Sequence, residues 1–232
     1  MPGQEIRIRS VEGPEFGCYL ATPASRGKVP AVVLASAIHG VDRDLRGIAD
    51  EFASHGYIAA APDLFWRTHP GALARGDARA AARAQPRLES IRVGEQDLAD
   101  VLKDLRKLPS FNGRPAVIGF CYGGPYAILG PKRLGYEAGL AFHGSQMKDY
   151  LLELDGLQRQ VCIVWGDQDH LAPAEVREAY GAVANRMANL EVRVLAGVRH
   201  GYMMQSNAEA FDRTAFRVSM ECALAILRPL RS

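Results

Sequence analysis

The sequence predicts an α/β fold in which a mainly parallel central sheet carries helices on both faces. Three observations predict it. Short continuous apolar runs recur along the chain, as expected of strands covered on both sides. Stretches of helical periodicity lie between them, which gives the βαβ alternation of a parallel sheet. The chain has 232 residues, 48% of them apolar and 23% charged, which suits one sizeable core rather than disorder. A single domain over residues 1–232 is therefore expected.

The elements follow in order. Glu5 to Arg9 alternates polar and apolar residues, and Cys18 to Ala21 follows a glycine-bearing turn, so an N-terminal hairpin is expected at a sheet edge. Core strands are expected at Val32–Ala35, Ile58–Ala61, Ala116–Ile118, Ala138–Phe142, Val161–Trp165 and Val192–Leu195. Helices are expected at Leu45–His55, Glu95–Leu105 and Ala174–Met187. A last helix over Ala208–Leu227 would place Phe211, Ala215, Val218, Cys222 and Ala225 on one stripe against the sheet. Trp66 to Gln85, rich in Ala and Arg, is the least regular stretch and reads as a cap-like insertion at about 66–85. Within it Arg75, Arg79 and Arg83 stand four residues apart. On a helix they would share one face, either a solvated basic surface or an anion-recognising wall.

Composition narrows the function classes. A net charge of +2 supplies no bulk field for nucleic acid. No apolar run approaches the roughly 20 residues that span a bilayer, and Met1 to Glu5 lacks the apolar core of a signal peptide. A cytoplasmic chain with neither a nucleic-acid nor a membrane partner is expected. The four cysteines, Cys18, Cys121, Cys162 and Cys222, lack Cys-x-x-Cys spacing, which argues against a disulfide framework and a structural zinc site. The six histidines show no helical pair spacing. No metal and no cofactor is expected. Monomer and homodimer both remain compatible with the sequence.

The chemistry gathers at Gly119-Phe120-Cys121-Tyr122-Gly123-Gly124. This hexapeptide follows an apolar run and opens a stretch that can be helical, so Cys121 falls at a strand-to-helix bend. Flanking glycines permit a tight turn and close helix packing, which leaves the central side chain exposed above the sheet. In this respect it resembles the nucleophile elbow of α/β-hydrolases. A thiol at a helix N-terminus is expected to ionise more easily than a free one. Such a nucleophile needs a base, and the base needs an orienting acid. Trp165-Gly166-Asp167-Gln168-Asp169-His170 follows a core strand and offers Asp169, with Asp167 as rival. Leu195 to Tyr202 places His200 in a glycine-flanked loop before the final helix. The order Cys121, Asp169, His200 is the one such folds require. His55 and His69 read as structural or exposed, and His170 as a shaper of the acid loop. His39 and His143 lie just past predicted strands on the rim of the nucleophile and are candidates for touching substrate.

Over nearly its whole length the chain resembles the dienelactone hydrolase family. The resemblance rests on the cysteine hexapeptide, on Gly166 to His170, on Ala196-Gly197-Val198-Arg199-His200-Gly201 and on Pro62-Asp63-Leu64-Phe65. It implies an α/β-hydrolase fold and a Cys121–His200–Asp169 triad. It also implies an oxyanion hole from the backbone N–H groups of Ile38 and Tyr122, and hydrolysis of a small ester or lactone through an acyl-thioester. Two departures stand out. Ala37 occupies the place of a family glutamate that restrains the resting thiol, and Met204 that of a substrate-binding arginine. Methionines at Met203 and Met204 suggest a more apolar pocket wall. Arg79 and Arg83 are left as the substrate-binding candidates. Since an activated thiol is also readily oxidised, the alternative is a redox-reactive or binding protein on the same fold with little ester turnover.

Overall fold

The computed structural model describes residues 2–24 and 27–232. Eight strands form one sheet: β1 (Gln4–Arg9), β2 (Glu15–Ala21), β3 (Val29–Ala35), β4 (Ile58–Pro62), β5 (Phe111–Phe120), β6 (Ala138–Phe142), β7 (Gln160–Gln168) and β8 (Leu190–Arg199). Their order across the sheet is β1-β2-β4-β3-β5-β6-β7-β8. The β1–β2 hairpin and the β2–β4 pair are antiparallel, and every other neighbour is parallel. The expected hairpin thus occupies the edge, and the expected core strands are all present. β5 and β8 run longer than their apolar cores because their paired ends extend into polar residues.

Alternation along the strands sorts the core into two layers. Ala31, Val33 and Ala35 of β3 face one side, where they pack with Val117, Ile163 and Tyr126. Val32 and Leu34 face the other, with Ile118, Leu140 and Val164. Helix α3 (Arg87–Leu105), the short α4 (Tyr126–Leu129) and α5 (Ala174–Ala184) cover the first face. Helices α1 (Arg43–Ser54) and α6 (Arg213–Leu227) cover the second. Asp42 caps α1 by accepting from the Asp44 and Leu45 amides, and Asp212 caps α6 by accepting from Ala215.

Three expectations need correction. Helix α6 begins at Arg213, where Asp212 supplies the cap, not at Ala208. Its buried face comprises Ala215, Ser219, Met220, Cys222, Ala223 and Leu227, so the stripe is rotated and Ala225 is exposed. The larger Met220 and Leu227 turn inward and take the contact area that Val218 and Ala225 would have filled. In the third case, α2 (Ala78–Ala82) is a single short turn, so Arg75 precedes it, Arg83 caps it, and the three arginines share no helical face.

The stretch between β4 and α3 is tied down by acids. Asp63 accepts from the Phe65 amide at 3.1 Å and the Gly71 amide at 2.6 Å. Asp97 of α3, fully buried, receives Arg67 Nη1 at 2.8 Å and Trp66 Nε1 at 3.2 Å. Removing the buried carboxylate leaves the Trp66 indole N–H without its acceptor and leaves Arg67 with only its second partner, Glu12. Asp97→Ala is expected to destabilise the protein by about 3 kcal/mol. A fall in the urea midpoint at constant slope checks this.

Candidate active site

Parallel pairing places the carboxyl ends of the central strands at one level. Ala35 pairs with Gly119, Phe120 with Phe142 and Phe142 with Val164. The loops that follow carry Ile38, Cys121, His143 and Asp169, and β8 ends at Arg199 beside His200. β3 is flanked by β4 on one side and β5 on the other, so the chain reverses its direction of travel across the sheet between β3 and β5. Such a switch point opens the crevice in which α/β sheets bind ligands.

Cys121 has φ +50°, a left-handed conformation that a side-chain-bearing residue adopts only under constraint. The constraint is close backbone packing. A β-carbon at Gly119 would lie 2.0 Å from the Gly123 carbonyl oxygen, and one at Gly123 would lie 2.3 Å from that of Ala35. Only glycine fits either place, and the turn they permit lifts the sulfur to the rim, where it is 8% exposed. The Ser145 amide donates to the Cys121 carbonyl at 2.9 Å, and the Ser145 hydroxyl lies 3.9 Å from the sulfur.

His200 Nδ1 lies 2.9 Å from both Asp169 oxygens. A carboxylate only accepts, so Nδ1 carries the proton and the opposite ring nitrogen is left as an acceptor, and the charge of His200 acts on the Cys121 thiol. Asp169 is buried and its Oδ1 also accepts from the Leu171 amide at 2.9 Å. Asp167, the rival, instead accepts from the Gly197 amide at 2.7 Å and braces the histidine loop from outside. The electrostatics follow from these contacts. Burial opposes charge on the imidazole, but the hydrogen bonds and charges of Asp169 and Cys121 outweigh it and push His200 up to about 10. Burial likewise raises the Cys121 thiol, and the hydrogen bond and charge of His200, then Ser145 and Arg87, carry it below its usual value. A helical stretch follows the thiol, as expected from sequence: a 3₁₀ turn over Cys121–Gly123, then α4, then a π-helical turn over Gly130–Leu134.

A family model described as the dienelactone hydrolase family matches residues 16–229. The chain belongs to the dienelactone hydrolase family. It is 28% identical to the carboxymethylenebutenolidase of Pseudomonas putida over 232 residues, covering 98% of this chain and 97% of that one. It is likewise 28% identical to carboxymethylenebutenolidase 1 of Cupriavidus pinatubonensis, covering 97% of each. A dienelactone hydrolase-like promiscuous phosphotriesterase from metagenomic libraries superposes with TM-score 0.81 at 20% identity, over the whole of both chains. The dienelactone hydrolase of Anabaena variabilis does so with TM-score 0.72 at 13% identity, again over both whole chains. The family membership makes this chain a hydrolase with the α/β-hydrolase fold. Among the described residues no helix is long and apolar enough to cross a membrane.

Other family expectations land differently. Arg79 is exposed and chelates Asp77, with Nη2 at 2.7 Å from Oδ2. Arg83 is 2% exposed and donates through Nε to the Ile38 carbonyl at 2.9 Å and through Nη1 to those of His69 and Gly71 at 2.7 Å each. Both substrate-binding assignments are therefore corrected: Arg79 turns to a local carboxylate, and Arg83 turns inward to backbone. Met203 and Met204 are buried within the α1–α6 layer, so they contribute core packing where a pocket wall was expected. His39 is half-buried, and burial followed by the charge of Arg75 lowers it. His143 is buried with φ +42° and packs edge-on against His200 at 5.0 Å between ring centroids, while His170 flanks the other ring contact at 5.8 Å. Ser145 and Arg87 were not anticipated. Ser145 could have been sought on the rim beside His143, whereas nothing in sequence spacing marks Arg87.

Two measurements test this electrostatic picture. The thiol is held below its ordinary value and the imidazole is raised to about 10, so the contact favours the charged pair over the neutral one. Alkylation of Cys121 by iodoacetamide should hence have its pH midpoint below that of an ordinary thiol and fall as the pH drops through the depressed thiol value. In His200→Ala the rate profile should move upward. Asp169→Ala should cost at least about 100-fold in kcat, by analogy with loss of a triad acid, and Asp167→Ala about tenfold or less.

Proposed function

We propose that this chain hydrolyses small carboxylic esters or lactones through a Cys121–His200–Asp169 triad. The observation that carries the reading is the contact between a thiol on a left-handed elbow and an imidazole oriented by a buried carboxylate. The activity by which the Pseudomonas putida and Cupriavidus pinatubonensis relatives are named, carboxymethylenebutenolidase, supports a lactone among its substrates.

The steps follow from the charged pair. The Cys121 thiolate attacks the acyl carbon, and the carbonyl π electrons move to oxygen. The backbone N–H groups of Ile38 and Tyr122 hold the resulting oxyanion, each worth about 3 kcal/mol of barrier. Collapse breaks the C–O bond, and His200 gives its proton to the departing alkoxide. For a lactone the alcohol stays tethered to the acyl group. Acylation removes the thiolate charge that helped raise His200, so the ring, now neutral, can take a proton from water. The hydroxide adds to the thioester, the C–S bond breaks, and the carboxylic acid leaves with thiolate and imidazolium restored. No redox partner or cofactor enters this balance.

A slowly hydrolysed activated ester mixed with the protein should give an adduct on Cys121 by intact mass, placed by peptide mapping. Turnover of nitrophenyl esters and small lactones should fall at least about 1,000-fold in Cys121→Ser. Full turnover without an adduct would refute the proposal. Rapid peroxide oxidation with no ester turnover would favour the redox alternative.

A further inference from the structure

The segment joining α2 to α3 sends two arginines back under the two loops that carry the proposed oxyanion donors. Arg83, the cap residue of α2, donates to the carbonyl of Ile38, and Arg87, the first residue of α3, donates to the carbonyl of Tyr122 at 3.1 Å. The same Arg87 nitrogen reaches the Ser145 carbonyl at 2.8 Å, and Ser145 in turn donates its amide to Cys121. One short stretch of chain thereby holds both residues whose N–H groups would meet the oxyanion. We propose that Arg83 and Arg87 are positioning residues that set the oxyanion hole, acting on substrate only through the peptide planes of Ile38 and Tyr122. The proposal rests on the ester-hydrolase reading above.

The surroundings fit a bracket better than a ligand site. Arg83 lies over the Phe65 ring at 4.3 Å, and Phe65 packs on the Tyr122 ring at 4.9 Å, so one aromatic supports both arms. Asp63 holds the Gly71 amide while Arg83 holds the Gly71 carbonyl, which ties the arginine to the end of β4. This gives the Pro62-Asp63-Leu64-Phe65 motif a role: its acid and its ring build the platform from which Arg83 reaches Ile38. Arg87 lies over the Tyr122 ring at 4.9 Å, and the Tyr122 hydroxyl meets Ser90 at 2.6 Å, one turn further along α3. The loop from Ser36 to Asp42 has few ties of its own, chiefly Gly40 to Ala37 at 3.0 Å and Asp42 to Gly40 at 2.9 Å. Its hold on Ile38 comes from outside it. A guanidinium suits the task because it presents several donors in a fixed plane and keeps its charge when buried. A residue's carbonyl belongs to the peptide plane after the one that carries its N–H, so a hydrogen bond to it limits rotation about the residue joining the two planes, and an oxyanion hole depends on the N–H direction being set before the charge develops.

The test separates oxyanion stabilisation from thiolate formation. Alkylation by iodoacetamide needs the Cys121 thiolate but passes through no oxyanion, whereas acylation by a nitrophenyl ester needs both. Arg87→Lys keeps the cation beside Cys121 and loses the fork, and Arg83→Lys does the same beneath Ile38. Single-turnover acylation should fall about tenfold or more in each, with KM within about threefold and the alkylation rate and its pH midpoint close to wild type. Arg87→Met, which also removes the charge, should lower both rates and shift the alkylation midpoint upward. Melting temperatures of all variants are recorded alongside. Should Arg83→Lys fail to fold, the half-buried Arg87 pair of variants decides the matter alone. Acylation within twofold of wild type in Arg87→Lys overturns the inference, as does a parallel fall of acylation and alkylation. A wild type that forms no acyl adduct overturns the hydrolase reading and this inference with it.

Discussion

A buried thiolate exists only beside a cation that is itself held in place, and most of the rim of this sheet serves that requirement. Burial works against both charges, raising the thiol and lowering the imidazole. Each is rescued by the other, and His200 by Asp169 as well. The pair is thus interdependent: removing the carboxylate releases the ring, and removing the ring returns the sulfur to an apolar pocket that favours the neutral thiol. Asp169 can play its part because it is enclosed and its Oδ1 already accepts the Leu171 amide, which fixes the carboxylate's orientation toward the ring.

That arrangement depends in turn on backbone approaches that no side chain could survive. The elbow at Cys121 is left-handed because β5 runs straight into a turn packed against β3, and Gly119 and Gly123 mark the two contacts where atoms meet. Strain of this kind persists only when its surroundings over-determine it. Here the surroundings are the parallel strands on either side, the Ser145 amide on the Cys121 carbonyl, and the Arg87 guanidinium bridging Tyr122 and Ser145. His143, also left-handed, brings the next loop against the catalytic ring from below. The ends of β3, β5 and β6 and the start of α3 all contribute constraints, so the site rests on several elements at the sheet's switch point rather than on any single loop.

What the sequence made legible was whatever chain order and local period encode. Apolar runs located the strands, and the sequence singled out Cys121, Asp169 and His200, of which the structure joins His200 to Asp169 and turns Asp167 to the Gly197 amide. The family model confirms the fold and the hydrolase class. Apart from the start of α6, the errors share a cause: they concerned direction rather than position. Spacing placed Arg75, Arg79 and Arg83 on one face by assuming a helix long enough to have one, and α2 is five residues long. Periodicity put Ala225 against the sheet, while the side chains with more area to bury, Met220 and Leu227, decided the rotation. Arg87 was invisible because its function comes from backbone carbonyls 35 and 58 residues away, and carbonyls leave no trace in residue type.

The inward turn of the arginines changes what the stretch between β4 and α3 does for the enzyme. With Arg83 given to carbonyls and Arg79 to Asp77, its cations organise backbone instead of presenting charge to a substrate carboxylate. The resting thiol is affected as well. Ala37 brings no carboxylate to the loop after β3, and the groups that act on the sulfur against burial, His200, Ser145 and Arg87, all favour its ionised form. With no carboxylate among the groups that act on the sulfur, nothing in this loop opposes ionisation except burial itself.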